Sequence, residues 1–319
     1  MSFRTVQQLA DKLKANVGQV MVGKEQTVDL LFIALITSGH VLLEDVPGTG
    51  KTMLAKSVAR SLQLQFKRVQ FTPDLLPSDL SGIHFFNQKE SAFEFRPGPL
   101  FTNLLLADEI NRATPRTQSS LLECMEERQI SIDGETTALE RPFMVIATQN
   151  PVEHQGTYPL PEAQLDRFLF KLQMGYPTKE ESVDILKRFK ETDPLEQLLP
   201  IAGAAEIAEA QQAYRAVKVT DEVLGYLLEI VEETRKRDDV LIGVSPRGSQ
   251  ALLRASQVQA ILQSRDYVTP DDIKAMAPHV LAHRLALKGI QRTQQQAAAI
   301  IQTILNHVAV PAEPDAALR

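Results

Sequence analysis

The sequence contains a single cysteine, Cys124, in 319 residues. One thiol excludes a disulfide framework within the chain and a zinc site built on several cysteines. The six histidines are scattered, and none belongs to a HExxH-type cluster. The longest apolar run, LLFIALI at 30–36, is far shorter than the ~20 residues that span a bilayer. Residues 1–17 lack the apolar centre of a signal peptide, so we expect a cytoplasmic protein.

Basic residues do not outnumber acidic ones, and the net charge is −6. Proteins that bind nucleic acid usually present a basic face, often with aromatic side chains between the basic ones. Lys67, Arg68 and Arg112 are too sparse to form such a stripe. The composition, 44% hydrophobic and 23% charged, is that of an ordinary globular protein, and the length predicts about two domains.

Short apolar runs alternate with helical patterns from about residue 40 to residue 172. The runs are HVLLED (40–45), FKRVQF (66–71), NLLLADE (103–109), FMVIAT (143–148) and FLFKL (168–172). Runs of this length between helices are typical of parallel strands that are buried on both faces. The sequence therefore predicts an α/β fold with a doubly wound parallel sheet.

Helical patterns dominate the chain after Tyr176, whereas residues 3–17 form one amphipathic helical pattern before the first strand. Thr178 and Glu181 form a capping-box pattern, and Thr269-Pro270-Asp271-Asp272 is typical of a helix start. Further helical periods lie at about 204–216, 220–237 and 247–264. No strong strand pattern follows Tyr176, so we expect a separate helical bundle there.

The predicted organisation has three parts: an α/β domain at 1–176, a helical domain at 177–309 and a loose tail at 310–319. Two hairpins are predicted within the α/β domain. One lies at 81–99, where HFFN and AFEF flank a polar stretch, and the other is QISIDGETTALE at 129–140. The second contains Asp-Gly, a strong hairpin-turn dipeptide.

The segment DVPGTGKT at 45–52, here named the phosphate loop, follows the strand pattern VLLE and precedes a helical pattern. This context is what a loop that binds nucleotide phosphates requires, because backbone N–H groups of the turn and the helix N-terminus point at the anion. Lys51 is expected to reach the β- and γ-phosphates, and the hydroxyl of Thr52 to bind Mg²⁺. The predicted phosphate-binding residues are Pro47, Gly48, Thr49, Gly50, Lys51 and Thr52.

The phosphate loop departs from the pattern GxxxxGK[ST] at its first position, where the pattern has glycine and this chain has Asp45. Aspartate tolerates a left-handed backbone better than most residues, so the turn can still form. A carboxylate close to bound phosphates would repel them. We therefore expect the side chain of Asp45 to point away from the phosphates.

Two acidic residues, Asp108 and Glu109, directly follow the apolar run LLLA. Ligands bind at the carboxyl ends of parallel strands, where the phosphate loop also lies. Asp108 is expected to hold Mg²⁺ through water and to belong to the nucleotide-binding residues, and Glu109 to polarise the attacking water. Acids at a strand end are often simply solvated, so the upstream phosphate loop is what favours the functional interpretation.

Three further polar residues carry weaker signals. Asn150 follows the strand pattern FMVIAT and could orient water against a γ-phosphate, although Asn-Pro is also a common turn signal. Arg167 and Arg247 each lie at the boundary of a predicted element, and a guanidinium group binds phosphate with two hydrogen bonds. A single arginine is more often part of a weak surface ion pair. Taken alone, these residues favour the structural interpretations, a turn at Asn150 and surface ion pairs at the two arginines.

Together the motifs resemble those of AAA+ ATPases and, more narrowly, of the MoxR family. The carriers are VPGTGKT (46–52), GPLFTNLLLADEINRATPRTQSSLLECMEERQISIDG (98–134), VIATQNPVEHQGTYPLPEAQLDRFLF (145–170) and VSPRGSQALLRA (244–255). They occur in the order of the family and cover about residues 18–290. The resemblance is therefore nearly full length.

The resemblance implies a role for each weak candidate. Asn150 would be the sensor 1 residue beside the γ-phosphate, and Arg167 would be the arginine finger that reaches the site of a neighbouring subunit. Arg247 would be the sensor 2 arginine, acting either on its own site or on a neighbour's. Val22 and Gly23 would lie near the adenine. With Lys51 and Glu109, the two arginines and the asparagine complete the expected catalytic set.

The resemblance also implies an ATPase that uses ATP and Mg²⁺ and assembles head to tail into a ring, a hexamer. Its expected role is chaperone-like: it would remodel, assemble or activate separate partner proteins, often ones with a von Willebrand factor A domain. The inserts at 81–98 and about 127–143 resemble the helix-2 insert and the pre-sensor-1 hairpin, which usually face the ring pore.

Three other functions are compatible with the same motifs. A nucleic-acid-translocating motor and the ATPase subunit of a magnesium chelatase belong to the same clade, and the acidic net charge disfavours the motor. A nucleotide-gated switch that hydrolyses ATP too slowly to do work is the third alternative.

Overall fold

The computed structural model describes residues 1–151, 156–190, 193–289 and 293–311. His154 and most of the predicted tail lie outside these ranges. The chain packs into two compact units, one of residues 8–211 and the other of residues 1–7 together with 212–319. Within the described ranges, no helix has the length and apolarity needed to cross a membrane.

The first unit contains the sheet, the two hairpins and most of the helices around them. Its elements, in chain order up to residue 213, are α1 (Phe3–Val17), α2 (Glu25–Ile36), β1 (Val41–Glu44), α3 (Lys51–Ser61), β2 (Phe66–Gln70), α4 (Pro77–Ser81), β3 (Gly82–Asn87), β4 (Ala92–Pro97), β5 (Leu104–Asp108), α5 (Pro115–Glu127), β6 (Gln129–Ile132), β7 (Glu135–Ala138), β8 (Met144–Gln149), α6 (Glu162–Leu165), β9 (Phe170–Leu172), α7 (Lys179–Phe189), α8 (Pro194–Gln197) and α9 (Ala204–Ala213). The sheet ends just before the predicted boundary at 176, and the compact unit that contains it extends to Gln211.

Five parallel strands form the central sheet in the order β2-β5-β8-β1-β9. Four lie within predicted runs and β8 extends one residue beyond its run, so the predicted α/β fold with a parallel sheet is confirmed. All five residues of β5 are buried, as are the first five of β8. Strands covered on both faces need apolar side chains at consecutive positions, which explains why the runs are continuous rather than alternating.

Both predicted hairpins are present. Strands β3 and β4 pair antiparallel with His84 opposite Phe95, and β6 pairs antiparallel with β7. Asp133 and Gly134 connect β6 to β7 with φ angles of 50° and 87°. Two consecutive left-handed residues match the right-handed twist of a two-residue hairpin, and Asp-Gly suits that turn.

The second unit is mainly helical, as predicted. Its remaining elements are α10 (Asp221–Lys236), β10 (Val240–Ile242), α11 (Pro246–Leu262), α12 (Pro270–Leu281), β11 (Ala286–Leu287) and α13 (Gln294–His307). The antiparallel ribbon of β10 and β11 was not predicted, because strands of two or three residues are too short to show a periodic pattern. The predicted helix start at Thr269 is confirmed, with a capping box between Thr269 and Asp272 and proline in the first turn.

A buried histidine lies inside the first unit. His40 donates a hydrogen bond from Nε2 to the carbonyl of Met125 (3.0 Å) and accepts one at Nδ1 from the N–H of Val145 (2.9 Å). Its ring packs edge-on against Phe143. Both ring nitrogens are used only if the ring is neutral. Burial lowers the pKa of His40 to about 3 from its ordinary value of 6.5, and the charge of Arg128 contributes in the same direction.

We expect this histidine to make the protein less stable in acid. As pH falls below 6.5, the unfolded chain gains a proton that the folded state does not bind until about pH 3, so stability is lost across this window. The variant His40→Gln removes this proton uptake from the unfolded chain. The difference in unfolding free energy between wild type and variant should therefore shrink by about 2 kcal/mol from about pH 7 to about pH 5. Urea unfolding at the two pH values measures it, and a constant difference would contradict the expectation.

Candidate functional site

A cavity of about 450 Å³ lies at the carboxyl ends of β1, β5 and β8. Because these strands are parallel, the residues that follow each of them meet at one edge of the sheet. The predicted site residues that line the cavity are Pro47, Gly48, Gly50, Lys51, Thr52, Asp108, Glu109 and Asn150. Residues that lie far apart in the sequence thus form one site.

The phosphate loop forms a tight turn ahead of α3. Gly48 and Gly50 have φ angles of 84° and 89°, in the left-handed region that glycine adopts without steric cost. The hydroxyl of Thr49 donates to the carbonyl of Val46 (3.3 Å) and closes the turn. Helix α3 begins at Lys51, so its first backbone N–H groups, which have no partner within the helix, are at the loop.

The ammonium group of Lys51 is folded back over the loop. Its Nζ donates to the carbonyl oxygens of Asp45 (2.9 Å) and Val46 (2.8 Å). Burial lowers the pKa of Lys51, and the negative charges of Asp45, Asp108 and Glu109 oppose that shift. Its hydrogen-bond acceptors are neutral carbonyls, so an anion in the cavity would be a stronger partner for this cation.

The side chain of Asp45 points away from the cavity, as predicted. Its Oδ2 accepts hydrogen bonds from the backbone N–H groups of Met174 (2.9 Å) and Gly175 (2.8 Å), just beyond β9. Its Oδ1 accepts one from the N–H of Val46 (2.9 Å). The residue that departs from the glycine pattern therefore joins the phosphate loop to the end of the sheet.

Asp108 is the last residue of β5 and is buried. Its Oδ1 accepts a hydrogen bond from the hydroxyl of Thr148, and its Oδ2 accepts two from the guanidinium of Arg68, at Nε (3.1 Å) and Nη2 (2.7 Å). The same hydroxyl of Thr148 accepts the N–H of Glu109 (2.8 Å). Thr148 thus holds both acidic residues from the neighbouring strand.

Glu109 has a left-handed backbone, with φ of 56°, which costs about 1–2 kcal/mol for a residue with a side chain. Its Oε2 accepts hydrogen bonds from Nε2 of Gln70 (2.7 Å) and Nη1 of Arg112 (2.9 Å). Arg68 and Gln70, both on β2, were not predicted as site residues, because only the pairing of β2 with β5 brings them beside the acids. The register of those two strands is the signal that could have identified them.

Asn150, Arg167 and Arg247 lie in three different parts of the structure. Asn150 is buried directly after β8 and lines it. Arg167 is half-buried in the turn after α6 and is not among the lining residues. Arg247 is exposed in the first turn of α11, in the second unit.

Val22 and Gly23 lie in the turn between α1 and α2. Gly23 has φ of +67°, which strains any residue with a side chain, and a Cβ there would also have to displace the carboxylate of Glu181. The methyl group of the preceding Met21 lies 3.3 Å from the place of a Cβ on Gly50. This turn therefore packs beside the phosphate loop, although Val22 and Gly23 do not line the cavity.

The chain matches two known domain families. Residues 40–170 match the ATPase family associated with various cellular activities (AAA), and residues 232–304 match the AAA lid domain. The first match contains the phosphate loop, both acids at the end of β5, and Asn150. The predicted α/β core with a helical C-terminal region is thus that of an AAA ATPase.

Relatives extend the similarity to almost the whole chain. YeaC of Bacillus subtilis, an uncharacterized protein, is 50% identical over 97% of each chain. Chaperone MoxR1 of Mycobacterium tuberculosis is 42% identical over 85% of this chain and 74% of its own length. A crystal structure of a protein from Cytophaga hutchinsonii superposes with a TM-score of 0.89 at 38% identity, covering 97% of this chain and 96% of that one. The chain belongs to the MoxR family of AAA+ ATPases.

Proposed function

We propose that this protein binds ATP with Mg²⁺ and hydrolyses it to ADP and phosphate. The observation that carries the proposal is the convergence of the phosphate loop, Asp108, Glu109 and Asn150 on one cavity at the end of the sheet. The cavity offers backbone N–H groups and Lys51 for phosphate, and acids and an amide for water. The AAA family match supports the same conclusion.

Binding would depend on the loop and on the turn beside it. Lys51 would donate to the β- and γ-phosphates, which compensate its charge better than its two carbonyl acceptors do. The N–H groups of the loop and of the first turn of α3 would cradle the same phosphates. Val22 and Gly23 would contact the adenine, a role supported by the packing of Met21 against Gly50.

The residues present fit a magnesium site of the kind that is completed by phosphate. Mg²⁺ is commonly held by one or two carboxylates with substrate phosphates and waters, rather than by an all-protein cage. Thr52 and Asp108 line the same cavity and would hold the ion, which would supply positive charge at the phosphate oxygens. In the described ranges no group of three or more His, Cys, Asp and Glu forms a site of its own.

Hydrolysis would proceed by attack of water on the γ-phosphorus as the bond to the bridging oxygen of ADP breaks. Glu109 would accept the proton of the water, and Asn150 would orient the water and the γ-phosphate. Gln70 and Arg112 hold the carboxylate of Glu109 in the structure, so they would set its direction. Positioning and charge stabilisation supply the rate in this chemistry.

Two arginines would complete the site from outside the cavity. We propose that Arg167 acts on the site of a neighbouring subunit in a homo-oligomeric, hexameric ring. Its place outside the cavity lining supports a role in trans, and a head-to-tail ring closes every such interface. Arg247 would be the sensor 2 arginine of the helical domain.

The ATPase cycle would serve a chaperone-like role on a separate protein in the cytoplasm, where ATP is supplied. The name of the related Chaperone MoxR1 supports this role. The β3–β4 hairpin supports it too, because Phe86 and Phe93 lie 52% and 75% exposed near its tip, and exposed apolar groups of this kind mark interaction surfaces. A client with a von Willebrand factor A domain is the finer proposal.

Replacing Lys51 by alanine should weaken the binding of a fluorescent ATP analogue by about ten- to a hundredfold, because one hydrogen bond to a charged group is worth about 1.5–3 kcal/mol. Equilibrium fluorescence titration measures the change. Lys56→Ala is the matched control, since Lys56 also lines the cavity but is exposed on α3, and its loss should change affinity by at most about fivefold. Equal affinities of wild type and Lys51→Ala would contradict the proposed binding mode.

Glu109→Gln should still bind the analogue while ATP turnover falls by about 10²–10⁴-fold, because the amide cannot accept a proton. Phosphate release measures turnover. Glu123→Gln, on the exposed face of α5, should turn over ATP like the wild type. If Glu109→Gln also turns over ATP at the wild-type rate, Glu109 is not the base.

The same variant tests the chaperone-like role by affinity capture from cell extract. A client should be enriched on Glu109→Gln with ATP and not on Lys51→Ala, and mass spectrometry would identify it. Enrichment of nucleic acid, or no difference between the two variants, would argue against remodelling of a protein client.

Arg167→Ala should lower the turnover of assembled rings by about 10³-fold or more, the usual effect of losing a finger supplied in trans. Mixing Arg167→Ala with Lys51→Ala subunits should restore part of the activity. In such a ring, the nucleotide site of an Arg167→Ala subunit can receive the intact Arg167 of a neighbouring Lys51→Ala subunit. Arg116→Ala, on the exposed part of α5, is the matched control with unchanged turnover. Mixed rings that recover nothing would mean that Arg167 acts within its own subunit or not at all.

A further inference from the structure

The side chain of Asp45 accepts hydrogen bonds that glycine, the usual first residue of a phosphate loop, could not accept. The residue is only 8% exposed, and its carboxylate accepts three backbone N–H groups, from Val46, Met174 and Gly175. A buried carboxylate is costly unless such donors compensate it. The usual glycine at this position would leave the N–H groups of Met174 and Gly175 without this acceptor.

The backbone of Asp45 is tied to the proposed phosphate-binding lysine. Its carbonyl accepts a hydrogen bond from Nζ of Lys51 (2.9 Å), next to the one accepted by Val46 (2.8 Å). The third N–H of this ammonium group remains available to a phosphate, so a phosphate bound by Lys51 would be linked directly to the backbone of Asp45. Asp45 is also the residue whose side chain holds the chain beyond β9.

The segment 174–178 is anchored on its other side as well. Nζ of Lys24 donates to the carbonyl of Met174 (2.7 Å). Thr178 caps α7, its N–H donating to Glu181 (2.7 Å), and the carboxylate of Glu181 fills the space beside Gly23. The segment therefore contacts both the phosphate loop and the turn at 23–24, the two places where we expect the two ends of a nucleotide.

We propose that Asp45 is a positioning residue that couples nucleotide in the phosphate loop to residues 174–178 and so to the start of α7. This inference rests on the proposed nucleotide binding. The coupling acts in both directions. If the contact of Asp45 with residues 174 and 175 raises the affinity of the loop for nucleotide, then bound nucleotide must stabilise that contact by the same factor. The carboxylate acts through the loop and does not touch phosphate.

The test uses the full-length protein with Asp45→Asn, which is nearly isosteric, and Asp45→Gly, which restores the usual motif. Binding of a fluorescent, non-hydrolysable ATP analogue should weaken by about tenfold or more in both, since hydrogen bonds to a charged group are lost. In the wild type the analogue should slow amide hydrogen exchange at Met174 and Gly175. In the variants, exchange there should be fast and indifferent to the analogue.

Asp193→Asn is the matched control. Its carboxylate also accepts a backbone N–H, that of Leu195 (2.9 Å), at the start of α8. This variant should keep the wild-type affinity and the nucleotide-dependent exchange at residues 174 and 175, although it too loses a carboxylate–backbone bond. A general loss of stability would alter exchange in the variants of Asp45 but would leave its dependence on nucleotide intact.

Two results would overturn the inference while leaving the proposed function in place. One is wild-type affinity in both variants of Asp45, and the other is exchange at residues 174 and 175 that still responds to the analogue. If Asp45→Gly does not fold, Asp45→Asn alone decides, because its shape and backbone preferences match the wild type. Failure of the wild type itself to bind the analogue would instead overturn the proposed function, and the inference with it.

Discussion

Backbone hydrogen bonds between β5 and β8 and between β8 and β1 hold three strands parallel and side by side. Their carboxyl ends therefore meet at one edge of the sheet, and the candidate site is made of the residues at and just beyond those ends. The phosphate loop comes after β1, the two acids lie at the end of β5, and Asn150 comes after β8. A slip of one residue in any of these pairings would turn every side chain of that strand to the opposite face.

The two acids at the end of β5 are paired with side chains from β2, from β8 and from the turn after β5. Asp108 is neutralised by Arg68 of β2, and Glu109 is held by Gln70 of β2 and by Arg112. Thr148 of β8 joins the two acids through one hydroxyl. Removing one member of such a network leaves a buried charge or dipole unpaired, which costs more than the bond contributed. The acids are thus oriented before any ligand arrives.

Asp45 links this preorganised edge to the chain that leaves the sheet. A glycine would satisfy the turn, so the carboxylate must be explained by its partners at residues 174 and 175. The phosphate loop is a tight turn with two left-handed glycines, and hydrogen bonds to residues outside the loop help to fix its conformation. Through the same hydrogen bonds, a change in the loop would act on the segment that precedes α7.

Much of the site was predictable because its signals are local. The glycines and Lys51 of the phosphate loop, the acids after LLLA and the five strand runs each depend on a few consecutive residues. The backbone conformation of the loop and the burial of the strands on both faces both follow from the type and order of neighbouring residues. The ribbon of β10 and β11 was not predicted, because its strands are too short to carry a pattern.

The partners of those residues depended on strand order and long-range packing. Arg68 meets Asp108 only because β2 lies beside β5, and both ring nitrogens of His40 are hydrogen-bonded only because the backbone of Met125 and Val145 lies beside them. Asp45 finds its hydrogen-bond donor 129 positions along the chain, at Met174. The sequence by itself determined the fold class and the position of the phosphate loop, since those properties are local. Only the tertiary structure decided which charges compensate one another, because that depends on elements that no local pattern brings together.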